Sequence, residues 1–228
     1  MAFFGLLWGI GAILFGKGID YLGVSLSLPI MQGLINVVGT LMPVILRNPS
    51  ELLTPTGLKL LTGTVIILAG IIFFAIAGHN RDSKSRQTHS ETPIKKNFRK
   101  GLIICLLAGI FGPMINFAFV YGAPLQEKAV ATGASSLYAA NVIWSIALSA
   151  GFIINLLECI RLFGKNQSWK TYRHRTTGGL IMASLAGVLW YLSIMFYGMG
   201  GSFMGVLGAS VGWATLSLIH ISEPTRPL

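Results

Sequence analysis

The sequence predicts an all-α fold, a polytopic bundle of membrane-spanning helices. Only 17 Lys or Arg and 7 Asp or Glu occur among 228 residues, and 53% of the residues are apolar, whereas a soluble domain carries about a quarter charged residues. The charges are clustered, and the stretches between them reach the roughly 20 apolar residues that cross a bilayer as a helix. A net charge of +10 would suggest nucleic acid as the partner of a soluble chain, but in a membrane protein it marks cytoplasmic loops. We therefore expect the lipid bilayer, and no nucleic acid, as a partner.

Seven segments have the length and composition of spanning helices, and they are labelled A to G in chain order. They cover about 2–16 (A), 22–46 (B), 57–78 (C), 101–121 (D), 135–157 (E), 178–198 (F) and, for G, the residues from about 203 onward. Pro29 and Pro43 fall in B, and Pro113 falls in D. Proline removes a backbone donor, which a membrane helix tolerates only where neighbouring protein or a cavity satisfies the freed carbonyl. Kinks that affect packing alone and a direct part in a binding site both fit this pattern.

The connections between the segments indicate the orientation of the chain. The loop 79–100 carries seven Lys or Arg and the connection 158–177 carries five, whereas the loop between D and E carries only Lys128. Because short basic loops stay inside the cell, we place 79–100 and 158–177 in the cytoplasm and the D–E and F–G connections outside. The B–C connection, with Arg47 and Lys59, fits this orientation less well.

An internal repeat divides the chain. Residues 8–24 and 190–206, offset by 182 positions, share the pattern W-x6-[FY]-G-x-G-x2-[YF]-x-G-V. Five segments lie in each repeat unit, and an odd number inverts the second unit, which is an architecture of secondary transporters. We therefore expect 1–78 to be helices three to five of a ten-helix protein, 79–100 a basic loop, and 101–215 an incomplete second unit with helices six to nine. The first two helices and the C-terminal end of the second unit would then be missing.

The last residues depart from this pattern. Residues 216–226 read LSLIHISEPTR, which matches the in-frame translation of a sequencing-library adapter. We expect 216–228 to be a non-native tail and assign no function to it; a short amphiphilic C-terminus is the alternative.

Polar and aromatic side chains deep in the segments are the candidates for a substrate site. A sugar needs amides or hydroxyls for its own hydroxyls and an aromatic face for its C–H surface. The candidates are Gln32, Asn36, Asn116, Tyr138, Asn141, Trp144, Trp190 and Tyr191. The spacing of Tyr138, Asn141 and Trp144 predicts one side of segment E. Hydrogen bonds between helices and packing of aromatic residues explain each of these residues as well.

Few ionisable residues lie close to the segments. Asp20 and Glu158 are candidates for proton coupling, since intramembrane charges often mark proton pathways. Interfacial ion pairs with Lys17 and Arg161, each three positions away, are the alternative.

Other chemistry is not indicated by the sequence. Gly5-x-x-x-Gly9 lies in an apolar run without the strand that a phosphate loop requires, so it predicts close packing of helices. The sequence contains no nucleophile–base constellation and no metal-ligand spacing, so we expect neither an enzyme nor a metal or organic cofactor. A proton gradient would supply the driving force.

Four stretches resemble the L-rhamnose–proton symporter family of the drug/metabolite transporter superfamily. They are residues 8–26, GTLMPVI (39–45), GFIINLLECIRL (151–162) and AGVLWYLSIMFYGMG (186–200). The resemblance implies a ten-helix protein of the bacterial inner membrane that imports a deoxyhexose together with a proton by alternating access. Another metabolite as the substrate and a non-transporting membrane scaffold are the alternatives. A scaffold predicts no convergence of polar groups on a central cavity.

Overall fold

The computed structural model describes residues 1–88, 98–169, 177–204 and 208–213. These residues form helices joined by turns, with no strand among them, so the predicted all-α class is confirmed. A 3-10 helix spans Pro49–Leu53, and residues 208–213 are helical as well. The α-helices are α1 (Ala2–Leu22), α2 (Val24–Arg47), α3 (Pro55–Thr88), α4 (Phe98–Phe111), α5 (Met114–Tyr121), α6 (Ala123–Ala131), α7 (Asn141–Asn166) and α8 (Thr177–Phe203).

Six stretches within the described residues are long and apolar enough to cross a membrane. They are Ala2–Leu22, Leu26–Arg47, Pro55–Phe73, Phe98–Tyr121, Asn141–Asn166 and Thr177–Phe203. These six correspond to segments A to F, so the prediction of a polytopic helical bundle is confirmed. Residues 205–207 and 214–215 of segment G and the whole tail 216–228 lie outside the described residues.

The first helix is longer than predicted. Segment A was expected to end at about residue 16, but α1 continues through Gly16 and Gly18 to Leu22. It ends where Gly23 adopts a φ of 75°, which glycine tolerates because it has no Cβ. Helix α2 begins at the next residue. The glycines at 16 and 18 are therefore helical positions, and the turn lies at Gly23.

Segment D is interrupted near its middle. Helix α4 ends at Phe111 and α5 begins at Met114, so the break coincides with Pro113, as the sequence predicts. The loop after D contains a helix that was not predicted, α6, which has proline in its first turn.

The prediction for the start of segment E is wrong. The helix begins at Asn141 and not near 135. Gly133, with a φ of 103°, and the turns at 136–140 lie between α6 and this helix. Tyr138 lies in one of these turns. The prediction that Tyr138 shares one side of a helix with Asn141 and Trp144 is therefore wrong.

The predicted cytoplasmic loops are partly helical. Helix α3 continues to Thr88, and α4 begins at Phe98, so only residues 89–97 of the predicted loop 79–100 lie outside the described helices. No glycine or proline occurs between residues 79 and 92, and charged residues with long side chains are good helix formers, so the helix continues past the apolar stretch. Helix α7 likewise extends to Asn166, into the predicted connection 158–177.

Small residues let α1 approach α7 closely. A Cβ on Gly5 would collide with the backbone carbonyl of Ala147, and one on Gly9 would lie 2.8 Å from the carbonyl oxygen of Gly151. The predicted packing role of Gly5 and Gly9 is therefore confirmed.

Two buried clusters form the interior. One is centred on α1, α2 and α4 and contains Ile30, Met31 and Cys105. The other joins α5, α7 and α8 around Trp144 and Tyr197. The candidate site lies at this second cluster.

Candidate functional site

A cavity of about 810 Å³ lies at one end of the bundle. Its wall is built by the ends of α2 and α5, by α6, and by residues 201–202 and 209–210. The residues that line it are Pro43, Val44, Arg47, Asn48, Phe119, Val120, Ala123, Gln126, Glu127, Val130, Ser136, Gly201, Ser202, Ala209 and Ser210. This mixture of apolar wall and a few amide, hydroxyl and charged groups is typical of a site for a small polar solute.

Arg47 fixes one edge of the cavity. Its Nη1 donates a hydrogen bond of 2.6 Å to the backbone carbonyl of Val120 at the end of α5. The guanidinium thereby connects the last turn of α2 to the last turn of α5. Hydrogen bonds with a charged donor are stronger than neutral ones, so the contact holds these two helix ends together.

A buried hydrogen-bonded group centred on Asn116 lies close to the cavity. Asn116 is fully buried, and its Nδ2 donates to the carbonyl of Gly39 at 2.8 Å. The hydroxyl of Tyr197 lies within hydrogen-bond distance of Asn116 Oδ1 and, at 2.9 Å, of the carbonyl of Ala209, which lines the cavity. Because a hydroxyl has one proton, these two acceptors share it. The group joins α2, α5 and α8.

The acceptor on α2, the carbonyl of Gly39, is free to bind Asn116 because of a proline. Pro43 has no N–H to donate to the carbonyl four residues earlier, which is that of Gly39. The freed carbonyl is the one that Asn116 binds. Pro43 therefore has a specific structural part in the site, in addition to lining the cavity.

Two further contacts on α2 continue the buried group. The hydroxyl of Thr40 donates to Asn36 Oδ1 at 3.1 Å, and the indole Nε1 of Trp213 donates to the carbonyl of Ile35 at 3.1 Å. Asn36 and Thr40 are both buried. They lie within one turn of Gly39, the partner of Asn116.

An aromatic group lies beside these polar residues. Trp144 is fully buried and stacks on Phe119, with ring centroids 5.2 Å apart and an interplanar angle of 14°. Tyr197 contacts both rings, at 5.2 Å from Phe119 and 6.1 Å from Trp144. Phe119 also lines the cavity, so it connects the aromatic group to the cavity wall.

The structure brings together three of the eight sequence candidates. Asn36, Asn116 and Trp144 are buried around the group just described. Trp190 instead stacks on Trp8 at 5.5 Å, and the hydroxyl of Tyr191 donates to Asn141 Oδ1 at 3.3 Å.

The remaining candidates do not join this buried group. Trp190 and Tyr191 are both more than a third exposed, Tyr138 is 52% exposed, and Gln32 is half-buried. None of these three exposed side chains lies among the residues that line the cavity.

The carboxylate candidates lie away from the cavity. Glu158 forms a two-point contact with Arg161, at 2.6 and 2.7 Å, as the sequence suggested. It also pairs with Lys17 at 3.5 Å, so Lys17 bridges from α1 to α7. Asp20 is exposed near the end of α1. The carboxylate that lines the cavity is Glu127, which the sequence did not single out.

Several residues of the site were not predicted. Tyr197 was visible only as the aromatic position of the repeat pattern, whereas Phe119 and Trp213 carried no signal beyond an apolar segment. Arg47 was visible only as a loop charge. Within the residues that the structure describes, no group of three or more His, Cys, Asp or Glu could hold a metal ion.

Comparison with known proteins identifies the family. A model of the family described as L-rhamnose-proton symport protein (RhaT) matches residues 1–220. The chain belongs to this family. The resemblance seen in the four sequence stretches is thereby confirmed, and with six apolar helices the chain is part of a multi-pass membrane protein.

Curated relatives carry the same name. An L-rhamnose-proton symporter of Yersinia pestis (strain Pestoides F) is 36% identical over 205 residues, which is 86% of this chain and 58% of the relative. An L-rhamnose-proton symporter of Mannheimia succiniciproducens is 33% identical over 227 residues, 96% of this chain and 64% of the relative. The chain thus spans about three fifths of the length of these relatives. No solved structure matches the chain.

Proposed function

We propose that the complete protein imports L-rhamnose or a similar deoxyhexose together with protons, by alternating access, across the bacterial inner membrane. Membership of the symporter family and the names of relatives at 33–36% identity support the substrate and the coupling. The observation that carries the proposal is the cavity of about 810 Å³ next to buried polar and aromatic side chains.

The chemistry of the cavity suits an uncharged sugar. Its volume falls in the range of about 300–1,000 Å³ typical of small-molecule sites. Serine hydroxyls and amides of Asn48 and Gln126 can donate to and accept from sugar hydroxyls. The ring of Phe119 supplies an apolar face. Asn36, Asn116 and Tyr197 are buried beside this cavity, but they hydrogen-bond within the protein and do not line it, so they are compatible with a transporter and with a membrane scaffold.

The orientation predicted from the loop charges indicates on which side of the membrane the cavity lies. The cavity is lined by α6 and by residues 201–202, which lie in the D–E and F–G connections that the charge pattern predicts to be outside. The basic stretches 79–100 and 158–177 lie in the cytoplasm in this proposal. The cavity would then lie towards the outer side of the membrane.

Proton coupling has three carboxylates to consider. Asp20 and Glu158 remain hypotheses from the sequence. The ion pairs of Glu158 with Arg161 and Lys17 favour a structural part for that residue. Glu127 lies in the cavity wall and is therefore the carboxylate placed closest to an entering solute.

Uptake of radiolabelled L-rhamnose by cells that express the complete protein tests the proposal. We expect accumulation above that of cells without the protein, and loss of the accumulation when a protonophore collapses the proton gradient. Accumulation that is unaffected by the protonophore would argue against proton coupling. Absence of uptake, in cells where the protein is present in the membrane, would argue against the substrate.

A further inference from the structure

The indole nitrogen of Trp144 is an exception in the buried interior. The fully buried side-chain nitrogen and oxygen atoms of the described residues have hydrogen-bond partners, except for this one, the Nε1 of Trp144. The neighbouring polar groups are paired: Asn116 through both ends of its amide, and Trp213 through its own indole nitrogen. Buried tryptophan N–H groups usually find an acceptor, and a native structure rarely leaves a buried donor unpaired.

The packing of Trp144 accounts for its position but not for the unpaired donor. Its ring packs against Phe119 and Tyr197, which also contact each other. Its Nε1 lies beside Gly198 of α8, at 2.9 Å from where a Cβ would be. An apolar bicyclic ring would fill the same space without the cost of a buried N–H. The indole therefore includes a donor that the described structure does not use.

We infer that the Trp144 N–H is the donor for one oxygen of the transported sugar, reached when α8 moves away from α7 at Gly198, beside which the Trp144 nitrogen lies. Phe119 connects this position to the cavity, since it lines the cavity and stacks on Trp144. The inference rests on the proposed function and adds to it a specificity-determining residue.

The chemistry of the donor limits the ligand. An indole N–H only donates, so its partner is an oxygen acceptor, either a hydroxyl or the ring oxygen of a sugar. The flanking rings of Phe119 and Tyr197 would face the C–H surface of the same molecule. A site that provides a donor for one oxygen binds an analogue without that oxygen less tightly, by about the value of one hydrogen bond. Trp144 would thus select among deoxysugars.

Replacement of Trp144 by phenylalanine is the test, in the complete protein. We expect Trp144→Phe to raise the KM for L-rhamnose uptake about three- to tenfold, the value of one hydrogen bond. Its thermal unfolding temperature should fall, because the smaller phenyl ring leaves a cavity at this buried position. Incorporation of 3-benzothienylalanine at position 144 keeps the bicyclic ring and removes only the N–H, so it should give the same rise in KM.

A series of rhamnose analogues, each lacking one ring hydroxyl or carrying sulphur in place of the ring oxygen, identifies the partner. For the wild type, we expect one analogue to lose three- to tenfold in inhibition of rhamnose uptake. The Trp144→Phe protein should not distinguish that analogue from rhamnose. Trp169→Phe is the control, since Trp169 is exposed, packs against Phe163 and lies outside the site. It should leave the KM and the analogue pattern of the wild type intact.

Two results would overturn the inference in different ways. If the wild type transports rhamnose and both Trp144 variants keep its KM and its analogue pattern, the donor role is wrong and the proposed function stands. If the wild type is present in the membrane and takes up no rhamnose, the proposed function fails and the inference fails with it.

Discussion

Replacement of Tyr197 by phenylalanine removes one hydroxyl from the buried contact between α5 and α8. The hydroxyl is shared between Asn116 Oδ1 and the carbonyl of Ala209, and Asn116 is fully buried. Loss of a hydrogen bond costs about 0.5–1.5 kcal/mol, and an unpaired buried acceptor adds about 1–3 kcal/mol in a soluble protein. Interhelical hydrogen bonds in membranes average about 0.6 kcal/mol, with a maximum near 1.7. We therefore expect Tyr197→Phe to destabilise the protein by about 1–2 kcal/mol.

Thermal unfolding of the purified protein in bicelles measures this change. Tyr191→Phe is the matched control, because its hydroxyl also bonds an asparagine, Asn141, but at 3.3 Å and at an exposed position. We expect the control to lose less than about 0.5 kcal/mol. Equal unfolding temperatures for the Tyr197 and Tyr191 variants would refute the reasoning that burial of Asn116 makes the Tyr197 hydroxyl necessary.

Two further substitutions test the packing and the cavity rim. Gly5→Val should destabilise the protein by at least about 2 kcal/mol, measured by thermal unfolding, because its Cβ would meet the carbonyl of Ala147. Gly16→Val is the control, because a Cβ at Gly16 would have no atom within 4 Å, and it should change the stability by less than about 1 kcal/mol. A larger loss of stability for Gly16→Val than for Gly5→Val would contradict the packing of α1 against α7. Arg47→Ala should remove the 2.6 Å bond to the Val120 carbonyl and loosen the edge of the cavity. A cysteine placed in the cavity should then react faster with a water-soluble maleimide. An unchanged rate would show that Arg47 does not hold the edge of the cavity.

The class of the fold was predictable because it depends on composition, whereas the ends of the helices depend on contacts. Glycine at 16 and 18 resembles a turn in the sequence, but both lie within α1, and the chain turns at Gly23. Nothing local distinguishes these glycines. Of these three, only Gly23 has a positive φ, and it lies between the end of α1 and the start of α2.

The site was only partly predictable for a similar reason. Asn116 and Trp144 were identified by their chemistry, and both prove to be buried. Tyr138 has equally suitable chemistry but lies in a turn and is exposed. Whether a side chain faces inward depends on the rotation of its helix against its neighbours. In a membrane protein this rotation is poorly marked by the sequence, because lipid-facing and buried positions are both apolar.

One contact bears on the internal repeat, which remains a prediction. The sequence pairs Trp8 with Trp190 as equivalent positions, and in the structure these two rings stack at 5.5 Å with an interplanar angle of 20°. In an arrangement with two-fold symmetry, a residue contacts its own equivalent only if both lie near the axis. For an inverted repeat, that axis lies in the membrane plane, at the depth where such transporters bind substrate. The stacked pair would therefore mark the middle of the membrane. The sequence also pairs Phe15 with Tyr197, and phenylalanine has no hydroxyl. The two halves would then be asymmetric, because the hydroxyl that binds Asn116 would have no counterpart in the first half.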